Sequence, residues 1–467
     1  MRKYMIFSLV LAIIWAGSQL AHTLWLGKGE DPSETYLTLQ QTPARSLSDP
    51  KTNGYFLLLG FTAPITADPF QVGYDIWIEA NSDQAYQVFD YQREGRLEAR
   101  IPNETLPRLY ARADAPPVAQ LRELADPSAG LLASHGVLVD RYRLWLSSPF
   151  DDWGFSQSGA PRLADLYGAR RLYLAEGWAQ NLPAGLERTA RDLAIWRGVL
   201  GNAKSLPLKI AAAAIVDEDA LLLSDALRQP TVGPEVVRQL EPALRALTPP
   251  ERSLHWPLQS EFHLAVKHFE NLYTPTSNAK QIDSNNALYW IFGLAGMSAD
   301  ALDRAAHPIP TNILAHGPKL KQRTLNIYAA FYAGLIQASE VPKSPLPVLL
   351  DLARTTHSEI VDHFVNPIDN IFESEPEPRW QPFFDRIMET DARLRLAGLQ
   401  VKLKWFAKDS EMAVRVGRAG QQYYDPFTGI PMLWNPANGT LYSIGKDGHD
   451  DGGDPQKDIT VQPLSAN

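Results

Sequence analysis

Amphipathic helical periodicity is the feature that most constrains the fold of this chain. Apolar residues recur at spacings of three and four in four consecutive segments and in one longer segment nearer the end. These segments cover residues 163–180, 186–203, 208–229, 234–247 and 383–409. Breaks that contain proline separate them, and no fixed repeat length relates them. The sequence therefore predicts a mostly α fold, an irregular helical array or bundle in which each helix buries one face.

The start of the chain has the pattern of an export signal. Arg2 and Lys3 precede an apolar run over residues 4–26 that a few polar residues interrupt. Positive charge before an apolar segment keeps that end in the cytoplasm and directs the following chain across the membrane. The run has about the length of a transmembrane helix. Two interpretations stay open: an N-terminal transmembrane helix that anchors a periplasmic body in the inner membrane, or a signal peptide cleaved near Ser18 that releases a soluble periplasmic protein.

Composition agrees with a body outside the cytoplasm. The chain has 467 residues, of which 45% are hydrophobic, and this is enough for a large core. It has no cysteine, which excludes disulfides, cysteine-ligated zinc and a thiol nucleophile. The formal net charge is −9 and no block of basic residues offsets it, so nucleic acid is not expected as a partner.

These observations divide the chain into four parts. Residues 1–27 form the signal anchor or signal peptide, and residues 28–52 form a polar connector that contains proline. Residues 53–405 form the helical body, for which an internal boundary near 155–160 is an open alternative. Residues 406–467 form a small module in which the pattern changes from helix to strand.

That last part combines two short strands with an acidic loop. Residues 431–434 and 440–444 are predicted strands, and Asn438-Gly439 between them is a strong hairpin signal. Five aspartates then follow within twelve residues, namely Asp447, Asp450, Asp451, Asp454 and Asp458. Clustered carboxylates repel one another unless a hard cation lies among them, and the neighbouring glycines let the backbone curl around an ion. The residues thus predict a structural calcium site; a solvated acidic tail is the alternative.

The order of motifs at this end resembles a known family. A long helix is followed by DPFTG, by a hairpin that ends in LYSIG, by KDG and by an acidic segment before DI. Residues 391–460 are in this respect similar to the C-terminal part of the major pseudopilins of type II secretion systems. The resemblance implies that the loop binds calcium and that the ion holds the end of a small sheet. Asp447 and Asp458 match best as ligands, and Asp450 and Asp451 lie in an additional segment.

The remaining parts of the chain depart from that family. Several hundred residues with helical periodicity separate the apolar start from the module. The apolar run also lacks the glutamate that pseudopilins carry near its start. The chain is therefore not expected to polymerise as a pilin, and the resemblance does not imply membership of a secretion apparatus.

Other patterns that carry chemistry are weaker. His263 and His268 lie five residues apart on a predicted helix, so their rings point in different directions and lack the spacing of a zinc pair. Ser156 follows the first glycine of a nucleophile-elbow pattern, but the closing glycine is missing. Glu359 and Asp362 supply carboxylates for acid and base catalysis without a spacing that favours it.

Three classes of function follow from these patterns. The first is a non-catalytic, membrane-anchored envelope protein that binds a protein partner through its helical body and has a calcium-stabilised C-terminal module. The second is an accessory subunit of a secretion or pilus-like system. The third is a periplasmic hydrolase that uses carboxylates as acid and base. The first class agrees with every pattern above, and it is the one that we expect.

Overall fold

The described part of the chain is mostly helical and has one small sheet near the C-terminus, which confirms the predicted mostly α fold. The computed structural model describes residues 30–81, 116–126, 130–156, 161, 163–229, 231–272, 321–340, 380–405 and 411–462. The predicted transmembrane segment over residues 4–26 lies outside this part. Within it, no helix has the length and apolar character needed to cross a membrane.

The described helices are short near the start of the chain and longer from residue 163 onward. They are α1 (Glu34–Leu39), α2 (Gly54–Leu59), α3 (Pro69–Ala80), α4 (Pro117–Leu124), α5 (Leu131–Ser134), α6 (Gly136–Ser147), α7 (Leu163–Gln180), α8 (Leu182–Asn202), α9 (Leu206–Leu227), α10 (Pro234–Leu240), α11 (Pro249–Arg252), α12 (His255–Leu272), α13 (Lys321–Glu340), α14 (Gln381–Trp405) and α15 (Met412–Arg418). A 3₁₀ turn at Gln421–Tyr423 precedes the strands β1 (Leu433–Asn435), β2 (Thr440–Ser443) and β3 (Ile459–Thr460). The two predicted strands lie within two residues of β1 and β2, whereas β3 was not predicted.

Local capping signals explain where two of the helices begin. The side chain of Asn53 accepts a hydrogen bond from the backbone N–H of Tyr55 at 3.0 Å, at the start of α2. Asp68 accepts one from Phe70 at 3.0 Å, at the start of α3. Pro69 occupies the first position of α3, where its missing N–H has no intrahelical partner to lose.

Two glycines let α2 and α3 cross at close range. A Cβ atom on Gly73 would lie 1.8 Å from the carbonyl oxygen of Phe56. A Cβ atom on Gly60 would lie 2.0 Å from the carbonyl oxygen of Pro69. Both neighbours are backbone atoms, which a side-chain movement cannot displace. Only glycine therefore fits at this crossing.

The predicted connector over residues 28–52 is fastened to the helical body from residue 30 onward. It contains α1, which packs against α13. The backbone N–H of Ser33 donates to Oδ1 of Asn326 on α13 at 2.9 Å. Nε2 of Gln259 on α12 donates to the carbonyl of Leu39 at 2.9 Å. The described residues of this segment are thus part of the folded body.

Helix α9 lies at the centre of the described core. Every residue of it except Pro207 is buried, and it packs against α8 and α14. A helix that is apolar on all sides is expected to be surrounded by other elements. Its main polar interruption is a run of three buried carboxylates, Asp217, Glu218 and Asp219. Consecutive helical positions are about 100° apart, so the three carboxylates face different neighbours.

Each of the three carboxylates pairs with an arginine from another helix. Asp217 pairs with Arg393 of α14 at 2.5 Å. Glu218 pairs with Arg171 of α7 at 2.8 Å. Asp219 pairs with the neighbouring arginine of α7. The run thereby joins α9 to two other long helices through charged contacts.

Arg170 of α7 connects most of these charges. It is fully buried, and its guanidinium group pairs with Asp192 of α8 at 2.5 Å as well as with Glu218 and Asp219. Oδ2 of Asp219 is buried and has no hydrogen-bond partner among the described residues. Burial raises the pKa of Asp219 well above its usual range although Arg170 opposes this, and the charges of Asp192 and Glu218 raise it further. A proton on Asp219 lets its carboxyl group bond to Asp192.

We expect Gly73→Ala to destabilise the chain and Gly198→Ala to stabilise it. The first substitution forces a Cβ into backbone at the crossing of α2 and α3, which should cost about 1–3 kcal/mol. Gly198 lies exposed on α8 with no atom within 4 Å of the new Cβ, so alanine there should add about 0.5–1 kcal/mol. Urea unfolding followed by circular dichroism measures both. Equal stability of the two variants would contradict the close crossing.

We expect Asp219→Asn to change how stability depends on pH. Folding takes up a proton at Asp219 because its pKa is higher in the folded chain than in the unfolded one. The contribution of Asp219 to the free energy of unfolding should therefore fall as the pH rises from about 4 towards the folded pKa, by at most about 1.4 kcal/mol per unit. Asparagine does not titrate, so the stability of the variant relative to that of the wild type should increase as the pH rises over this range.

Urea unfolding of both proteins between about pH 5 and pH 8 measures this difference. The matched control is Asp140→Asn, because the side chain of Asp140 is 73% exposed. Its stability should run parallel to that of the wild type. If Asp219→Asn ran parallel as well, Asp219 would have to be ionised in both the folded and the unfolded chain.

Candidate functional site

The C-terminal module is a three-stranded antiparallel sheet in the order β1-β2-β3. The hairpin register is Leu433↔Tyr442, Trp434↔Leu441 and Asn435↔Thr440. In the second pair of strands, Tyr442 is opposite Thr460 and Ser443 is opposite Ile459. Because β3 lies beside β2, the two ends of the acidic loop that joins them are close together.

Four glycines let this loop turn sharply. The backbone angle φ is +67° at Gly445, +66° at Gly448, +71° at Gly452 and +79° at Gly453. Side chains rarely adopt such values, so glycine is favoured at each of the four positions. The loop therefore curls back on itself, as the spacing of its glycines predicts.

The carboxylates of Asp447 and Asp450 lie at the surface and stabilise turns. Oδ1 of Asp447 accepts a hydrogen bond from the N–H of His449 at 3.0 Å. Oδ1 of Asp450 accepts from the N–H of Gly452 at 2.9 Å and from the hydroxyl of Tyr442 at 3.0 Å. Both aspartates are exposed. These oxygens serve the backbone and side chains of the module itself.

A lysine that is not one of the predicted site residues lies among the remaining aspartates. Nζ of Lys457 donates to Oδ1 of Asp451 at 2.7 Å. This bond raises the pKa of Lys457, and the charges of Asp454 and Asp447 add to the effect. Within the described ranges, no three acidic or histidine side chains come together in a group that could hold a metal ion. The four predicted ligands thus share one loop but do not surround one point.

Asp458 differs from the other aspartates because it is buried, with 4% of its surface exposed. Its Oδ2 accepts a hydrogen bond from the N–H of Gly453 at 2.7 Å. Its Oδ1 is also buried and has no partner among the described residues. Burial raises the pKa of Asp458, and the charges of Asp451 and Asp450 raise it further. A buried carboxylate oxygen without a donor is costly, so a proton, a water molecule or a cation would stabilise this position.

The chain after the loop is fastened to the helical core. Arg393 of α14 donates to the carbonyl of Thr460 and also pairs with Asp217 of α9. The backbone N–H of Gln462 donates to Oγ of Ser224 on α9 at 3.0 Å. An interaction that orders the loop therefore also stabilises the contact between β3 and the two central helices.

The weaker sequence patterns have structural roles where the structure describes them. Nε2 of His263 lies 2.7 Å from the carbonyl of Leu39, so this nitrogen carries the proton and fastens α1. The backbone N–H of Ser156 donates to Oγ of Ser260 at 2.8 Å, and Ser156 has a φ of 58°. No hydrogen bond joins Ser156 to His263 within the described residues. Outside the described side chains lie those of His268, Glu359 and Asp362.

Comparison with known proteins adds no family to these observations. No protein-family model matches the chain, and no curated protein or solved structure matches it either. A function for this chain therefore has to be inferred from its own residues.

Proposed function

We propose that the chain is a non-catalytic, membrane-anchored periplasmic protein that binds a protein partner through its helical body and uses calcium to stabilise its C-terminal module. The observation that carries the calcium part of this proposal is the buried Oδ1 of Asp458, which has no donor among the described residues. The sequence supports the anchor, since Arg2 and Lys3 precede the apolar run over residues 4–26.

Calcium is the cation that suits the chemistry of the loop. It accepts roughly 6 to 8 oxygens in an irregular arrangement, which carboxylates and backbone carbonyls of a glycine-rich loop can provide. Asp450 and Asp451 raise the pKa of Asp458, so their charges lie close to it. A cation bound at Oδ1 of Asp458 would offset the repulsion that these two charges exert on Asp458. Asp447, which the family resemblance implies as a further ligand, is exposed at the start of the same loop.

Lys457 could neutralise the aspartates of this loop in place of calcium. It is an internal cation, and it pairs with Asp451 at 2.7 Å. Its side chain is 58% exposed, however, whereas the oxygen of Asp458 that lacks a donor is buried. The two accounts therefore differ in what they predict for substitutions at Asp458.

The link between the proposed anchor and the body is short. The apolar run ends at residue 26, and the carbonyl of Asp31 already accepts a hydrogen bond from Asn326 on α13 at 3.0 Å. Five residues span at most about 18 Å. The body would consequently be held next to the membrane surface, and a partner that it binds would lie in or beside the same membrane.

We expect calcium to raise the melting temperature of the full chain in detergent micelles, relative to the same protein with chelator. At about a hundredfold excess over the dissociation constant, an ion that binds only the folded loop adds about 2.7 kcal/mol. Asp458→Asn should lose most of this gain, because the amide cannot replace the charge of the carboxylate. Melting curves with calcium and with chelator, followed by circular dichroism, measure the gain for each variant.

Two further variants of the loop serve as controls. Asp454→Asn removes a half-buried charge from the same loop and should keep the calcium gain, since Asp454 is outside the predicted ligand set. Lys457→Gln removes the internal cation and should leave the gain unchanged or enlarge it. Identical curves with calcium and with chelator in every variant would show that the loop does not bind calcium. The loop would then be solvated, with Lys457 as the cation that offsets its charge.

We expect the full chain, expressed in a Gram-negative host, to remain in the membrane fraction with its body accessible to protease only from the periplasmic side. The positive charges before the apolar run set this orientation. A variant without residues 2–26 should stay in the cytoplasm. Soluble periplasmic protein that begins near residue 19 would show that the signal is cleaved and would remove only the anchor from the proposal. Full-length wild type recovered from the cytoplasm would contradict export.

A further inference from the structure

A surface pocket between α6, α7 and α8 contains three arginines, although the net charge of the chain is negative. It has a volume of about 400 Å³. Arg143 of α6 lines it together with Arg188 and Arg191 of α8, and Leu146 and Tyr173 contribute an apolar wall. A concave site that combines several guanidinium groups with apolar surface suits an anionic group carried on an aliphatic chain.

Glu176 of α7 shows how two of these arginines hold a carboxylate. Its Oε2 accepts a hydrogen bond from Nη1 of Arg188 at 2.5 Å and another from Arg143. The side chain of Glu176 is 40% exposed, so water and solutes reach this pair. Partial burial opposes ionisation, but hydrogen bonds from Arg188 and Arg143 lower the pKa of Glu176. The two guanidinium groups are therefore placed for a bridging carboxylate.

The same two arginines are held in place by further contacts. Nη1 of Arg188 also donates to the carbonyl of Tyr173 at 2.8 Å, and the guanidinium carbon lies 4.8 Å from the centre of the Tyr173 ring. Arg143 pairs with Asp140 at 2.6 Å. Groups that are positioned in advance lose less conformational entropy when a ligand binds.

Arg191 is the member of this group that has no carboxylate partner within the described residues. It is exposed, and it follows Arg188 by three positions, so the two side chains share one face of α8. Glu187 also lines the pocket, but it makes no ion pair in the described structure. Donors therefore remain between Arg188 and Arg191 for one more carboxylate.

We propose that this pocket binds an acidic segment of the protein partner, with one carboxylate that enters between Arg188 and Arg191 and displaces Glu176 from Arg188. The methylene groups of the incoming side chain then pack against Leu146 and Tyr173. This inference rests on the partner-binding part of the proposed function and adds the chemistry of the partner. Because the chain has a formal charge of −9, an acidic segment depends on these local contacts rather than on long-range attraction.

The probe for this site is a fluorescein-labelled hexaglutamate peptide, whose anisotropy is followed with the full chain in detergent micelles at low salt. Arg191→Gln should weaken binding by up to about fivefold, the upper end of the range for a solvent-exposed ion pair. Glu176→Gln should strengthen binding several-fold, since it releases the donors of Arg188 and Arg143. The matched control is Arg418→Gln, which removes an exposed arginine at the end of α15 and should leave binding unchanged.

Three outcomes would overturn the site: no binding of the peptide, equal effects of Arg191→Gln and Arg418→Gln, or weaker binding by Glu176→Gln. Equal effects would show that the peptide responds only to net charge. Crosslinking of the full chain in membranes tests the partner separately. A crosslinked partner without peptide binding would overturn the pocket alone, whereas no crosslinked partner would contradict the partner-binding function itself.

Discussion

The fold depends on the neutralisation of three consecutive buried carboxylates on helix α9. Asp217, Glu218 and Asp219 face different directions, and each pairs with an arginine from a neighbouring helix. Desolvation of such charges costs about as much as their pairing returns, so apolar packing supplies most of the stability. Other helix registers are nevertheless very unfavourable, because a shift of one residue would leave these carboxyl groups buried without partners. We therefore expect the network to select the arrangement of α7, α8 and α14 around α9.

The same network reaches the C-terminal strand. Arg393 binds Asp217 through Nε and the carbonyl of Thr460 through Nη1. Gln400 of the same helix donates to the carbonyl of Gln462 at 2.6 Å. β3 is thus separated from α9 by a single side chain, and whatever orders the acidic loop also orders an edge of the core. This connection is the physical reason to expect that calcium at a loop near the end of the chain stabilises the whole protein.

The features that could be predicted from the sequence depend on residues that are close along the chain. Helical periodicity and the Asn438-Gly439 turn each act within a few residues, and the structure contains the elements that they predict. The ion pairs could not be predicted, because Arg393 lies 176 positions from Asp217 and only the packed helices bring them together. In the candidate site, the glycine turns follow from local spacing. The burial of Asp458 does not follow from local spacing, because it depends on the third strand, which was not predicted.

The acidic loop and the arginine pocket share one feature. In each of them, a charged side chain of the chain itself pairs with some of the clustered groups of opposite charge. In the loop, Lys457 pairs with Asp451 and leaves the buried oxygen of Asp458 without a described donor. In the pocket, Glu176 bridges two arginines and leaves Arg191 without a described carboxylate partner. Each internal ion reduces the repulsion between like charges, so the site stays ordered in the free chain. In both proposals the ligand has the charge opposite to the group without a described partner, a cation at Asp458 and an anion at Arg191.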